Sequence, residues 1–352
     1  MGKLRQRRGA RRACASVLAL AVIATLAGCG SKSNAKGSPE SKTIATSRTT
    51  QAPPAIFPLT GLPVDRPDAG RPSLAIKIDN LDEARPQSGL NFADIVYDTL
   101  VEGGQTRLFA VFQSHDADVV GPIRSARPVD ADLLRALNGG LFAYSGAAPG
   151  EIAPSIDHST ATLLSNDDGV TAFYRAKGHR APHNVYASTA KLYAAGAEAG
   201  NQSPAPPALF HFGAAAPGGQ PTASANVPMG NNATAAWAWN PQLGQYERTQ
   251  DGTDDTLEDG TRVTADNVLV MSVGVTGTGV FDVNGVEDPL PVVIGSGPCW
   301  LLRDGQLVQG TWSRDSVTAA TVFHDAAGHD LVFHTGRTWV ELQQNSLQPT
   351  FG

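Results

Sequence analysis

The sequence predicts an α+β protein: a layered α/β sandwich in the first half, followed by a β-rich second half. Three observations carry this. In the first half, short apolar runs bounded by Gly, Pro, Asn or Asp, the mark of strands, alternate with two helix-like stretches. Such interleaving favours layers packed on a common core. A Pro-, Gly- and Ala-rich stretch, Gly200–Pro228, then interrupts the pattern. Beyond it the apolar runs are strand-like throughout and are punctuated by Asp-Gly pairs, the strongest short-range hairpin signal.

The chain opens with six Lys or Arg residues and no acid, followed by 15 apolar or small residues from Ala13 to Ala27. That order is the pattern of a secretory signal, and the run is shorter than the ~20 residues that span a bilayer. Leu26-Ala27-Gly28-Cys29 resembles the bacterial lipobox. Residues 1–28 are therefore expected to be a signal peptide, and Cys29 the lipidated first residue of the mature chain, carrying diacylglycerol and palmitate. The pairs Arg7-Arg8 and Arg11-Arg12 are followed by the wrong residues for twin-arginine export, which favours unfolded export. From Cys29 to Ala55 the sequence is Ser, Thr, Lys, Pro and Ala, too polar to bury a core. It reads as a tether with a root-mean-square span of roughly 25–30 Å.

An α/β domain is expected over 56–200. Its strands are Leu74–Ile78, Ile95–Val101, Leu108–Phe112 and Leu141–Tyr144, and its helices lie near Pro128–Leu137 and Thr189–Ala199. Residues 201–228 read as a linker or excursion. A β-rich domain over 229–345 is expected from Ala235–Trp239, Gly244–Arg248, Asn267–Val275, Val292–Leu302, Leu307–Trp312, Thr321–His324 and Thr338–Leu342. Turns are expected at Asp251-Gly252, Asp259-Gly260 and Asp304-Gly305.

Composition narrows the partners. Removing the six basic residues of the signal takes the formal charge from −6 to −12. An acidic chain gains nothing from phosphate backbones, so no nucleic acid is expected, and lipid rather than charge should hold it to the membrane. Cys14 leaves with the signal and Cys29 is anchored, so Cys299 is the remaining thiol, and neither a disulfide nor a cysteine metal cluster is expected. No G-x-S-x-G elbow, P-loop, H-E-x-x-H or Rossmann glycine fingerprint occurs, and no cofactor is expected. His324, His329 and His334 recur every five residues, a spacing that matches no helix face. The five tryptophans fall in the second half, where most should be core.

Candidate functional residues concentrate between Lys77 and Asn184. Strand alternation puts Lys77 and Asp79 on one face, opposite Leu74, Ile76 and Ile78. Such a pair either holds a ligand or satisfies itself. Arg124 and Arg127 follow a Gly-Pro turn and precede a helix, with Ser125 placed to cap it. Arginines beside free helix N–H groups attract carboxylates, phosphates or sulfates; the alternative is internal pairing with Glu102, Asp94 or Asp98. His183, in Arg180-Ala181-Pro182-His183-Asn184, could serve as acid, base or ligand, since histidine as a residue type titrates near neutrality, although a lone histidine is more often structural. Asn80, Arg85 and Arg107 complete the set.

These clusters closely resemble the YerB-like lipoprotein family, whose two halves are domains of unknown function (DUF3048 type). The resemblance rests on PLTGLPV at 58–64, KIDN at 77–80, RPQSGL at 85–90, ADIVYDTLVEGGQTR at 93–107, GPIRSARP at 121–128 and RAPHNVYAS at 180–188. It extends more loosely through Trp239, Tyr246, Asp251-Gly252, Asn267, Gly310-Thr311-Trp312 and Gly336-x-Thr338-Trp339. It implies a lipid-anchored extracytoplasmic protein with a layered α/β fold, and it implies no reaction. Where relatives carry a histidine ahead of a small-residue turn, this chain has Tyr144 before Ser145-Gly146.

The expected function is a non-enzymatic binding or scaffolding lipoprotein on the extracytoplasmic face of the cell membrane, with an Arg-rich pocket for an anionic or glycan envelope component. Its residues are Lys77, Asp79, Asn80, Arg85, Glu102, Arg107, Arg124, Ser125, Arg127, Arg180, His183 and Asn184. Two rival readings stand beside it. One is a cell-wall glycan hydrolase or transferase using Asp79 or Glu102 with His183; the other is a protein-interaction platform in which the clusters are structural networks.

Overall fold

The computed structural model describes residues 55–147, 160–215, 218–281 and 285–352. The expected signal peptide, Cys29 and nearly all of the tether lie outside the described residues. The first half supplies β1 (Leu74–Asp79), β2 (Ile95–Leu100), β3 (Thr106–Phe112), α1 (Pro128–Ala136), β4 (Leu141–Tyr144), β5 (Thr162–Ser165) and α2 (Thr189–Glu198). The second supplies β6 (Ser224–Gly230), β7 (Ala233–Asn240), β8 (Gln245–Gln250), β9 (Asn267–Phe281), β10 (Glu287–Val292), β11 (Gly295–Arg303), β12 (Gln306–Arg314), β13 (Val322–Asp325) and β14 (Thr338–Gln344).

A sheet in the order β13-β12-β11-β9-β14-β2-β3-β1-β4-β5 runs through both halves, with β10 hung on β9 and Gln220–Pro221 on β12. The seam is parallel: β2 pairs with β14 from Ile95↔Thr338 to Asp98↔Glu341. At the far end β1, β4 and β5 are parallel neighbours. A second sheet is built on β6, β7 and β8. The stretch 201–228 itself contains His211–Phe212, Gln220–Pro221 and most of β6.

Alternation explains why both faces of the large sheet are apolar. In β1, Leu74, Ile76 and Ile78 enter one core and Ala75 the other; in β4, Leu141 and Ala143 oppose Phe142. α1 lays Val129, Leu133 and Leu134 on the Phe142 side. On the other side lie Leu192 of α2 and Val227, Met229, Ala235 and Trp237 of the second sheet. Each fully buried Leu, Phe or Met contributes about 1.5–3 kcal/mol of apolar transfer. The protein is thus strand-rich, with two α-helices among the described residues.

Turn chemistry follows the sequence at two of the three Asp-Gly pairs. Asp251 and Gly252 (φ 52° and 79°), and Asp304 and Gly305 (φ 52° and 69°), both sit in the left-handed region that a two-residue hairpin requires. Asp259-Gly260 differs: only Gly260 is left-handed, and the loop closes the isolated bridge Thr256↔Arg262. Val292–Leu302 is not one strand, because β10 ends at Val292 and β11 starts at Gly295. Ser125 does not cap α1. Arg127 is the N-cap, Pro128 follows it, and the Asp130 carboxylate accepts the Arg127 N–H at 2.7 Å.

Candidate functional site

The carboxyl ends of β1 and β4 are bridged by segment 121–127. Asp79 N donates to Pro122 O (2.9 Å) and Arg124 N to Lys77 O (2.9 Å). Ser145 N donates to Arg124 O (3.0 Å) and Ala126 N to Gly146 O (3.0 Å). On its other side Ile123 N donates to Val185 O (2.6 Å), tying in the short hairpin Tyr174–Arg175/Val185–Tyr186. These bonds hold Arg124 between two parallel strand ends, the position at which open α/β sheets bind ligands.

Two charge groups converge there. Asp79, fully buried, meets Arg124 Nε at 2.9 Å and His183 Nδ1 at 2.8 Å. A carboxylate only accepts, so His183 Nδ1 carries the proton. The Arg124 contact is an ion pair outside hydrogen-bond geometry, since its Nε makes no hydrogen bond. Deeper in, Arg127 grips Glu102 through Nε (3.1 Å) and Nη2 (2.5 and 2.6 Å), and its Nη1 donates to Ala126 O. Burial pushes the Glu102 carboxyl up, but the Arg127 charge and hydrogen bonds overcome this and hold it below its ordinary value.

Lys77 and Asp79 do not pair with each other. Lys77 Nζ instead contacts Asp130 (2.7 Å) and Thr99 Oγ1 (3.0 Å), and burial pulls its pKa down against the Asp130 charge. Arg107 is buried with its Nε unbonded and Nη1 at 3.5 Å from Ser125 O. Burial, together with the charges of Arg127 and Arg124, lowers its pKa to about 10. Asp288, from β10, is also buried and lies 3.3 Å from Arg127 Nε, with neither carboxylate oxygen hydrogen-bonded. Burial raises it to about 7, with the Glu102 charge adding and Arg127, Lys77 and Arg107 resisting.

Of the sequence candidates, Lys77, Asp79, Glu102, Arg107, Arg124, Ser125, Arg127 and His183 share this neighbourhood. The others engage elsewhere: Asn80 bonds Thr106 and Gln250, Arg85 pairs with Asp82 and Asp251, and Asn184 accepts from Arg175. Arg180 is exposed, with no ion pair among the described residues. Asp94 and Asp98, weighed as arginine partners, bond Ser114 and Arg248 instead. The cluster is closed rather than an open pocket: Arg127 is 5% exposed and Arg107 7%, and Arg124, His183, Ser125 and Glu102 form a half-buried rim. The roomier grooves lie elsewhere, one of about 490 Å³ beside Ser88, Phe92, Val119 and Glu258. Among the described residues no three His, Cys, Asp or Glu side chains are placed to hold a metal, and His324, His329 and His334 pair with Asp330, Asp325 and Asp304.

Sequence reasoning missed Asp130 and Asp288. Asp130 carried a signal, an acid at the third helical position behind Pro128. Asp288 carried none, since only the fold brings it to Arg127.

A strand-rich body joined across a parallel seam, with a buried charge cluster at one sheet end, defines the class. Residues 59–202 match the family described as "Protein of unknown function (DUF3048) N-terminal domain", and residues 225–340 match its C-terminal domain. The chain belongs to this DUF3048 family. It is 30% identical over 293 residues to "Putative lipoprotein YerB" of Bacillus subtilis (strain 168), covering 81% of this chain and 85% of that protein. The crystal structure of YerB protein from Bacillus subtilis is similar to it with a TM-score of 0.72 at 26% identity, over 84% of this chain and 99% of the other. No helix among the described residues is long and apolar enough to cross a membrane.

Proposed function

We propose that this is an extracytoplasmic binding or scaffolding lipoprotein, exported by residues 1–28, lipidated at Cys29, and using the rim of the β1/β4 cluster to engage an anionic or glycan component of the cell envelope. The observation that carries the reading is the Arg124–Asp79–His183 arrangement at the parallel strand ends, with the incompletely satisfied Arg107 behind it. Arg124 would meet the anion, His183 would add a directional hydrogen bond, and Glu102 would fix Arg127. Exposed Arg180 stands three residues before His183 and adds positive charge to the same loop. The lipobox-like Leu26-Ala27-Gly28-Cys29 and the name of the Bacillus relative support the anchor.

Titration calorimetry of the full chain in detergent against muropeptides, teichoic-acid fragments and phosphosugars tests the site. Binding by the wild type that Arg124→Gln abolishes without lowering the thermal midpoint supports it; no binding, or binding that survives the substitution, sinks it. The anchor is tested separately: Cys29→Ala protein that still fractionates with membranes refutes it.

A glycan hydrolase or transferase remains the second reading, favoured by one observation. Glu102 and Asp288, both in contact with Arg127, have their proton affinities driven in opposite directions, as an acid and base pair requires. Asp288 is buried, so a polymer could not reach it without rearrangement. Release of soluble fragments from purified cell wall would decide for it.

A further inference from the structure

Asp288 is a buried carboxylate with neither oxygen hydrogen-bonded, delivered to the cluster by a strand that pairs with a single neighbour among the described residues. β10 pairs only with β9, from Gly274↔Val292 to Phe281↔Glu287, and the register slips between Gly277 and Phe281. Two of its six residues, Pro289 and Pro291, have no N–H to give to a ladder. Near its start this strand places a carboxylate with no hydrogen bond of its own against Arg127 at 3.3 Å and, more distantly, Lys77 and Arg107, the last with an unbonded Nε.

We propose that β10 is a displaceable internal occupant of the anion site: the Asp288 carboxylate stands among Arg127, Lys77 and Arg107 where an external oxyanion of carboxylate, phosphate or sulfate type binds. This rests on the anion-site reading above. It accounts for a cluster that is rich in guanidinium groups and yet closed. The ligand enters as β10 leaves; Arg127, released from Asp288 but still fixed by Glu102 through Nε and Nη2, presents its positive charge to the newcomer, and Arg107 offers the Nε that has no hydrogen bond.

Protonation of Asp288 should ease the exchange, because a neutral carboxyl holds the cations less firmly than a carboxylate. The charged groups facing it are Arg127 at the start of α1, Glu102 in the turn 102–104, Lys77 in β1 with its partner Asp130, and Arg107 in β3. From β2, Tyr97 stays neutral up to about 12 and Asp98 is committed to Arg248; β9 carries no ionisable residue.

Sulfate is the probe, because its charge is constant between pH 6 and 8. Calorimetry on the full chain in detergent should find sulfate bound about tenfold tighter at pH 6 than at pH 8, the change in the charged fraction of a group titrating near neutrality. Asp288→Asn should bind about tenfold tighter than the wild type at pH 8 and should lose the wild type's pH dependence. Amide hydrogen exchange over 286–292 should quicken in the variant, and in the wild type on adding sulfate. Equal sulfate binding in both proteins, or exchange indifferent to sulfate, overturns the occupant and leaves the anion site standing. Absence of sulfate binding in both proteins at both pH values removes the site, and the occupant with it. Should the Asn variant fail to fold, wild-type exchange with and without sulfate decides the question.

Discussion

Replacing Asp130 with Asn removes the counter-charge that Lys77 touches at 2.7 Å, at a place where both side chains are fully buried. Breaking such a pair usually costs about 3–5 kcal/mol, because one charge is left in a medium that cannot solvate it. An independent route gives a ceiling. Lys77 can escape by losing its proton, and from the ordinary 10.5 to pH 7 that takes about 3.5 units at 1.36 kcal/mol each, or about 5 kcal/mol. The two figures meet, so the variant should lose about 3–5 kcal/mol, a large share of a typical 5–15 kcal/mol domain stability. Asn can still accept the Arg127 N–H, so the helix cap survives; Asp130→Ala loses it and should fall about 1 kcal/mol further. The sign with pH follows from proton counting. A neutral Lys77 in the folded variant and a charged one in the unfolded chain mean that unfolding takes up a proton. Stability therefore rises with pH by about 1.4 kcal/mol per unit until about pH 10. Urea unfolding at pH 7 and pH 9 measures both effects. A deficit below about 1 kcal/mol at pH 7, or one unchanged at pH 9, would refute the reasoning.

Two further substitutions probe the packing and the seam. Gly196→Ala in α2 places a Cβ 2.4 Å from Leu141 Cδ2, so overpacking of about 1–3 kcal/mol should outweigh the helix-propensity gain of about 1 kcal/mol; a thermal midpoint at or above wild type would contradict this. Glu341 lies beside Arg248, bonds Trp237 Nε1 and is pushed up to about 8 by burial, with the Asp98 charge adding. Its folded proton affinity exceeds the unfolded one, so the native state keeps a proton that the unfolded chain releases, and stability declines as pH rises from about 4.5 to about 8. Glu341→Gln should flatten that decline, as read from thermal midpoints at pH 5.5 and 8, while an unaltered slope would place the titration elsewhere.

What the sequence revealed depended on whether the signal was local. β4 is found at Leu141–Tyr144 as read, and α1 and α2 lie within a residue or so of their expected ends, because apolar period and flanking breakers are encoded within each segment. β6 was hidden: Ser224–Gly230 contains a proline and three small residues, and it becomes a strand only because β7 pairs along it. Asp304-Gly305 was legible from its dipeptide, whereas Asp259-Gly260 carries the same pair in a loop, since turn preference does not supply flanking strands. The site divides in the same way. Lys77, Asp79, Arg124 and Arg127 were visible as charged residues misplaced for a plain core. Their partners were not: Lys77 chose Asp130 over Asp79, two residues away, because α1 lies over that face of β1.

The parallel seam bears on how the two halves depend on one another. β2 sits between β3 and β14, so a fragment ending at residue 200 would leave the β14-facing edge of a buried strand without its hydrogen bonds. Unpaired backbone groups in such a place are costly, and the exposed edge is a template for aggregation. The same cut strands Asp98, whose 2.7 Å partner Arg248 belongs to β8 and is itself held by Asp255 at 2.6 Å, with all three buried. The strand in the intact chain that relieves the edge, β14, comes after β6 to β13 in chain order, so the seam of the nascent chain cannot close before the second half has been made. Residues 56–200 produced alone should therefore fail to give a cooperative thermal transition or dispersed amide resonances. Adding residues 201–352 as a separate chain should restore both. A fragment that unfolds cooperatively by itself would show that the family's N-terminal segment is an autonomous domain and that the seam is only a docking contact.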